Sequence, residues 1–140
     1  MTAGYAGDLT PQEAWDVLAA NPKAVLVDVR TQAEWSFVGV PDTSELGRAP
    51  VFVEWTSYPD GELNHRFVPD LIEAGVEPSA DAPVIFICRS GQRSIGAAVA
   101  ATEAGIGPSY NVLEGFEGAT NEKSQRGDQG WRAAGLPWHQ

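Results

Sequence analysis

The chain contains one cysteine, Cys88, and its neighbours are residue types that support nucleophilic chemistry. Cys88 ends the apolar run VIFIC and is followed by RSGQR, which contains Arg89 and Arg93. A free cysteine at a strand end is in many proteins an inert packing residue. Here, however, Gly91 permits backbone angles that other residues disfavour, so the loop can turn its N–H groups inward. Such a nest binds anions and stabilises a thiolate, which is the reactive form of cysteine.

Two further features favour a reactive thiol over an inert one. A helix is predicted directly after the loop, and its N-terminal end carries a partial positive charge. The two arginines place positive charge near the sulfur, which also favours the thiolate. We therefore predict that Cys88 is a catalytic nucleophile. The residues expected to bind its anionic substrate are Arg89, Ser90, Gly91, Gln92 and Arg93.

Loop length separates two chemistries that could use this arrangement. A cysteine phosphatase needs a cradle wide enough for a tetrahedral phosphoryl group and an arginine that grips two of its oxygens. Those enzymes place five residues between cysteine and arginine. Here only four residues separate Cys88 from Arg93. A sulfur carrier has to accommodate one additional sulfur atom, so the shorter loop favours sulfur chemistry.

The elements that must position this loop alternate between strands and helices. Strands are predicted at residues 24–29 (AVLVDV), around residue 51 (APVFVEW), at residues 83–88 and in SYNVLEG. Helices are predicted in LTPQEAWDVLAANP, AEWSFVG, NHRFVPDLIEAGV and RSIGAAVAATEAG, with a closing helical turn in WRAAGLPW. This order predicts an α/β fold with a parallel sheet and helices on both faces. Region 39–66 is the least regular, and we expect a long surface excursion there.

The predicted fold gives Cys88 a functional position. Ligands of open parallel sheets bind outside the carboxyl ends of the strands. Cys88 ends the strand predicted at residues 83–88, so it lies at that edge of the sheet. The apolar run therefore delivers the thiol to the place where such folds bind their substrates.

Composition limits the remaining functions. The chain has 140 residues, 43% of them hydrophobic, which suits a single domain over residues 1–140. No stretch is long enough for a transmembrane helix and no secretory signal is present, so we expect a cytoplasmic protein. The net charge of −10 argues against nucleic-acid and membrane partners. One cysteine and two distant histidines indicate no metal site, and no cofactor is expected.

Several segments resemble one family. CRSGQRS is similar to the active-site loop of the rhodanese (sulfurtransferase) domain family. LVDVRTQAEW resembles the first signature of that family, GVPDTSEL its next segment, and NVLEGFEGATNEKSQRGDQGWRAAGLPW its C-terminal signature. Together these segments span about residues 8–138, and their order and spacing make the resemblance specific.

The resemblance implies a three-layer rhodanese-like fold with a five-stranded parallel sheet. It also implies a reaction in two steps. Cys88 takes the outer sulfur of an anionic donor such as thiosulfate, becomes a persulfide, and passes the sulfur to cyanide or to a thiol. Asp28, Arg30 and Glu34 become structural supports: Asp28 would brace the active-site loop, and Arg30 would pair with Glu34.

Three functions follow from these observations. The first is a sulfurtransferase with a small anionic donor and a thiol or cyanide acceptor, which includes a thiol on a protein. The second is a cysteine phosphatase or arsenate reductase, which the short loop and the lack of a second cysteine disfavour. The third is a non-enzymatic module that carries or senses a persulfide. The first and third need the same loop, so the sequence does not separate them.

Overall fold

The computed structural model describes residues 4–56, 61–76, 82–118 and 130–140. Within these residues the strands are β1 (Gly7–Leu9), β2 (Val25–Asp28), β3 (Val40–Pro41), β4 (Val51–Phe52), β5 (Val84–Ile87), β6 (Ser109–Val112) and β7 (Trp138–His139). The helices are α1 (Pro11–Ala20), α2 (Gln32–Phe37), α3 (Phe67–Glu73) and α4 (Arg93–Glu103), with a 3-10 turn at Ser44–Leu46.

Five of these strands form one sheet in the order β1-β6-β5-β2-β4, and every neighbouring pair is parallel. The strand that delivers Cys88, β5, is central and pairs with β2 on one side and β6 on the other. A second, two-stranded sheet joins β3 to β7 in antiparallel register. The central place of β5 buries the start of the cysteine loop between two neighbouring strand ends.

The side chains of β5 alternate between two hydrophobic cores, which places helices on both faces of the sheet. Val84 and Phe86 pack with residues of α3 and α4 on one face. Ile85 and Ile87 pack on the other face with α1 and with Trp131, which is fully buried. The predicted α/β fold, a five-stranded parallel sheet between helical layers, is confirmed.

Local sequence explains where the first two helices begin. Thr10 caps α1, because its hydroxyl accepts from the N–H of Glu13 while the Glu13 carboxylate accepts from the N–H of Thr10. Thr31 and Glu34 repeat this capping box at the start of α2. The cap fixes the Glu34 carboxylate at the carboxyl end of β2, close to the cysteine loop.

Three elements differ from the expectations. Strand β1 was not predicted; its three residues acquire strand structure by pairing with β6. WRAAGLPW is not a helical end: turns at residues 131–135 lead into β7. Region 39–66 contains β3, the 3-10 turn and β4 as well as irregular chain, so it supplies strands to both sheets. No helix in the described ranges is long and apolar enough to cross a membrane.

Candidate active site

Cys88 lies directly after β5, at the carboxyl edge of the sheet, as predicted. Its exposed fraction is 1%. The Cys88 carbonyl accepts a hydrogen bond from the N–H of Phe116 at 2.8 Å, and the Arg89 carbonyl accepts one from the N–H of Glu117 at 2.9 Å. The chain after β6 therefore holds the first two residues of the loop by their backbones, which fixes the position of the sulfur.

The loop turns its backbone around this sulfur. Gly91 has a φ of 92° and donates its N–H to Cys88 Sγ at 3.2 Å. Within the described residues, the other N–H groups of the loop make no hydrogen bond; they belong to Arg89, Ser90, Gln92 and Arg93. Helix α4 begins at Arg93, the last residue of the loop. Unpaired N–H groups beside a helix N-terminus are the donors that an anion-binding nest requires.

A second polar group touches the sulfur, and sequence reasoning missed it. Ser94 is buried, and its Oγ lies 3.2 Å from Cys88 Sγ. The same Oγ is hydrogen-bonded to Oδ1 of Asn111, a buried residue of β6. The only signal for Ser94 in the sequence was that it directly follows Arg93, in the first turn of α4. No local pattern pointed to Asn111, which follows 17 residues later.

Glu34 binds one of the two loop arginines. The Arg93 guanidinium donates to both carboxylate oxygens of Glu34, at 2.8 and 2.9 Å. Burial acts to raise the pKa of Glu34, but hydrogen bonds from Arg93 and Thr31 outweigh it and hold that pKa below its usual value. Burial acts to lower the pKa of Arg93, and the bonds and charge of Glu34 raise it above its usual value. The pair is therefore ionised throughout the neutral pH range.

The expected pairing of Arg30 with Glu34 is wrong. Arg30 instead binds Asp28, with its Nε and one terminal nitrogen donating to the carboxylate at 2.7 to 3.1 Å. The physical reason is that Asp28, two residues before Arg30, binds its guanidinium in a fully buried pair, which leaves Glu34 to Arg93. Glu34 points to the start of α4 and meets Arg93 there.

Asp28 does not brace the loop by direct hydrogen bonds, contrary to expectation. It bonds to Arg30, and both side chains are fully buried. Arg30 then donates to the Gly39 carbonyl at 2.7 Å and lies over the Phe116 ring at 4.3 Å. Since the Phe116 N–H binds the Cys88 carbonyl, the support that Asp28 gives to the loop passes through Arg30 and Phe116.

The remaining loop side chains are accessible. Arg89 and Gln92 are exposed, and Ser90 is half-buried. The Arg89 side chain makes no ion pair or hydrogen bond in the part of the chain that the structure describes. Among those residues no group of three or more His, Cys, Asp or Glu side chains could hold a metal ion. The site therefore consists of a buried sulfur that accepts one N–H, a loop with further N–H groups that make no hydrogen bond among the described residues, and one exposed guanidinium.

Comparisons with known proteins agree with this geometry. Residues 10–122 match the family described as the rhodanese-like domain. An uncharacterized protein of Rickettsia conorii is 36% identical over 126 residues, which cover 90% of this chain and 91% of that protein. The crystal structure of Rv0390 from M. tuberculosis is 59% identical, with a TM-score of 0.90, and the match covers 97% of this chain and 98% of that chain.

A third relative has a stated activity. The solution structure of the polysulfide-sulfur transferase homodimer from Wolinella succinogenes is 25% identical and has a TM-score of 0.62. The match covers 94% of this chain and 77% of that one. The family match spans most of the chain, and the parallel sheet, the cysteine loop and these relatives agree with it. The chain belongs to the rhodanese-like domain family.

Proposed function

We propose that the protein is a sulfurtransferase that moves sulfane sulfur through a persulfide on Cys88. The observation that carries this proposal is the set of donors near the sulfur. Cys88 Sγ accepts the N–H of Gly91, and the other N–H groups of the loop make no hydrogen bond within the described residues. Such a set of donors is suited to a sulfur anion, first as the thiolate and then as the terminal sulfur of a persulfide.

The proposed first step consumes one anionic donor. The Cys88 thiolate attacks the outer sulfur of thiosulfate, a Cys–S–S bond forms, and the S–S bond of the donor breaks with its electron pair leaving on sulfite. The persulfide keeps the negative charge that the thiolate carried. In the second step a cyanide ion or a thiolate attacks the terminal sulfur, takes it as thiocyanate or as a new persulfide, and regenerates the Cys88 thiolate.

The arginines have different roles in this proposal. Arg89 is exposed and unpaired within the described residues, so it attracts the donor and stabilises the departing sulfite. Arg93 is held by two hydrogen bonds to Glu34, so its guanidinium fixes the end of the loop against α2. Its positive charge still adds to the field at the sulfur, and its backbone N–H is one of the loop donors without a partner among the described residues. Ser90, Gly91 and Gln92 complete the substrate-binding loop.

The comparisons support sulfur as the transferred group. A relative whose match covers nearly the whole of this chain is a polysulfide-sulfur transferase, so polysulfide joins thiosulfate among the donors to be tested. The four-residue spacing between Cys88 and Arg93 also favours sulfur over the wider phosphoryl group. A second candidate, a persulfide carrier that delivers sulfur to one protein, uses the same loop and differs only in turnover.

Intact-mass measurement tests the proposal directly. Incubation with thiosulfate or polysulfide should add about 32 Da, the mass of one sulfur atom, and a thiol should remove it. Cys88→Ala should show no gain, because it has no other cysteine. No gain with either donor, together with hydrolysis of an aryl phosphate by the wild type, would exclude sulfur transfer.

A further inference from the structure

Ser94 is shared between two acceptors but has one proton to donate. Its Oγ lies 3.2 Å from Cys88 Sγ and is also bonded to Oδ1 of Asn111. A serine hydroxyl carries one hydrogen and two lone pairs. The Ser94 proton can therefore lie towards the sulfur or towards Asn111, but not towards both.

The surroundings of Asn111 fix which of its amide atoms faces Ser94. Asn111 Nδ2 donates to Asp8 Oδ1 at 3.0 Å and to the Gly91 carbonyl at 3.3 Å. Both partners are acceptors, so a flipped amide would bring its oxygen against two other oxygens. Oδ1 therefore faces Ser94 and can only accept. The Ser94 proton lies in that bond, because otherwise two oxygens would meet without a hydrogen between them.

This orientation treats the two protonation states of Cys88 differently. A thiol S–H can donate to the free lone pair of Ser94 Oγ. The hydrogen bonds then form a chain in which Cys88 donates to Ser94 and Ser94 donates to Asn111. A thiolate has no proton and gains from donors only. To donate to it, the Ser94 hydroxyl must rotate about its Cβ–Oγ bond and leave Asn111 Oδ1 without that proton.

We propose that Asn111, anchored by Asp8 and the Gly91 carbonyl, is a positioning residue that keeps the Ser94 proton away from Cys88 in the resting enzyme. Rotation of the Ser94 hydroxyl then supplies a second donor to the sulfur when the thiolate forms. The inference rests on the proposed function only in taking Cys88 as the nucleophile. In this proposal the Ser94 hydroxyl switches between two acceptors, and Asn111 sets the direction in which the hydroxyl proton points at rest.

Charged groups also lie on the elements around the sulfur, and the test has to separate their effect from that of the Ser94 proton. They lie on β1, at the end of β2, on α2, in the loop and after β6: Asp8, Asp28, Arg30, Glu34, Arg89, Arg93 and Glu114. All seven stay unchanged in variants of Ser94 and Asn111. Only Asp8 is hydrogen-bonded to Asn111, and it also accepts from the Tyr5 hydroxyl at 2.8 Å.

The experiment measures the rate of Cys88 alkylation by iodoacetamide as a function of pH, followed by intact mass. Thiolate is the species that reacts, so the pH at half-maximal rate reports its stability. Ser94→Ala removes the donor and should raise that pH by about one unit, a tenfold loss of thiolate on the acidic limb. Asn111→Leu frees the Ser94 proton for sulfur and should lower it by about half a unit.

Asp8 supplies a pair of variants that does not disturb the core, because its side chain is exposed. Asp8→Ala releases the Asn111 amide and should lower the pH at half-maximal rate. Asp8→Asn removes the charge but keeps an amide oxygen for Asn111 Nδ2, so its shift measures the charge alone and should be smaller than that of Asp8→Ala. Thermal unfolding of each variant identifies any that do not fold, and the Asp8 pair decides the outcome if Asn111→Leu does not.

Opposite shifts for Ser94→Ala and for the variants that release the proton would support the proposal. Shifts in the same direction, or equal shifts in Asp8→Ala and Asp8→Asn, would overturn it, since they would report general disturbance or charge alone. Alkylation needs no sulfur donor, so these results stand even if Cys88 takes up no sulfur. Failure of the proposed function and failure of this inference are therefore seen in different measurements.

Discussion

At the scale of single residues, the two arginines of the loop differ in what they are free to do. Arg93 is bound on both terminal nitrogens by Glu34, and Arg89 is exposed with no ion pair among the described residues. An arginine already paired with a carboxylate offers little to a second anion, whereas a free guanidinium offers two charge-assisted hydrogen bonds. Arg89 is therefore the residue on which donor affinity should depend.

Replacing Arg89 by alanine should raise the KM for thiosulfate about fivefold to tenfold, with a smaller change in kcat, because one charge-assisted contact to the anion is lost. Lys23→Ala is the matched control. Lys23 is an exposed cation that precedes β2, at the opposite edge of the sheet from Cys88. An equal rise of the KM in Lys23→Ala would show that net charge, not a contact by Arg89, is responsible.

Gly115 is the residue whose replacement should disturb the loop backbone most directly. It has a φ of 60°, and a Cβ there would lie 2.4 Å from the Cys88 carbonyl oxygen and 2.7 Å from the backbone of Arg89. Gly115→Ala should lower the free energy of unfolding by about 3 kcal/mol or more, since neither backbone can yield. Persulfide loading should fall as well, because the Cys88 carbonyl is displaced.

Gly105→Ala is the control for this prediction, because it introduces backbone strain without a steric clash. Gly105 has a φ of 81° and open space where the Cβ would lie. Its replacement should cost only about 1 kcal/mol, the usual penalty for a left-handed alanine, and leave sulfur uptake unchanged. Similar losses in both variants, measured by urea unfolding, would contradict the steric explanation.

At the scale of elements, the ion pair between Glu34 and Arg93 joins the start of α2 to the start of α4. The side chains are 18% and 26% exposed, so the pair is shielded from much of the solvent. Glu34 also caps α2, since its carboxylate accepts from the N–H of Thr31. One carboxylate therefore holds both the end of the cysteine loop and the first turn of the neighbouring helix.

Glu34→Gln should test the charge without loss of the cap, because glutamine serves equally in a capping box. The lowered pKa of Glu34 means that its contribution to stability is complete above the ordinary value of 4.5 and is lost as the pH falls below it. At pH 7 the variant should be less stable by about 1–2 kcal/mol. This difference should shrink on acidification, as urea unfolding at several pH values would show.

An exposed pair provides the control for this prediction. Glu73 bonds to Arg66 at 3.3 Å, with side chains that are 70% and 66% exposed. Solvent screens such a pair, so Glu73→Gln should leave the unfolding free energy unchanged within error at every pH. A constant difference between wild type and Glu34→Gln from neutral to acidic pH would mean that the ion pair is not its cause.

The elements also show where sequence reasoning succeeds and where it stops. Strand β5 and helix α4 are predictable because an apolar run and a face of small residues indicate burial within the segment itself. The loop between them is predictable because its reactive residues are contiguous. Strand β1 has one apolar side chain, Leu9, and acquires its structure from β6. No local pattern records pairing of that kind.

The same limit applies to the site. Cys88 and its loop follow from one contiguous segment, whereas Ser94, Asn111 and Asp8 meet only in the folded chain. Asp8 and Asn111 are 103 residues apart. The expected ion pair was wrong for a related reason: the family resemblance implied Arg30 with Glu34, whereas the fold brings Arg93 from α4 to that carboxylate. Buried polar contacts between distant segments depend on the finished topology.

At the scale of the whole molecule, the net negative charge opposes the binding of an anion. The chain has a net charge of −10, which would repel the proposed anionic donor at long range. The loop nevertheless contains two arginines, and Arg89 is exposed there beside N–H groups that make no hydrogen bond among the described residues. Donor binding must therefore depend on the local field within about 10 Å, the screening length at moderate salt, and not on the overall charge.

The single cysteine decides how sulfur can leave. Without a second thiol in this chain, a persulfide on Cys88 cannot be resolved as an internal disulfide. In the proposed reaction the sulfur then has to pass to a separate molecule, and the donor product leaves before the acceptor reacts. Steady-state rates at several fixed donor concentrations should then give parallel double-reciprocal plots against cyanide or thiol, as expected for a covalent intermediate.

Enzyme and carrier differ in the same experiment. For an enzyme, the loaded protein should lose its added sulfur at a rate proportional to the concentration of free cyanide or thiol, and the second-order rate constant should match the steady-state kcat/KM for that acceptor. A carrier would load fully but release sulfur to small acceptors far more slowly than it loads. Intersecting plots would instead require donor and acceptor to bind together, which a persulfide on one buried cysteine does not need.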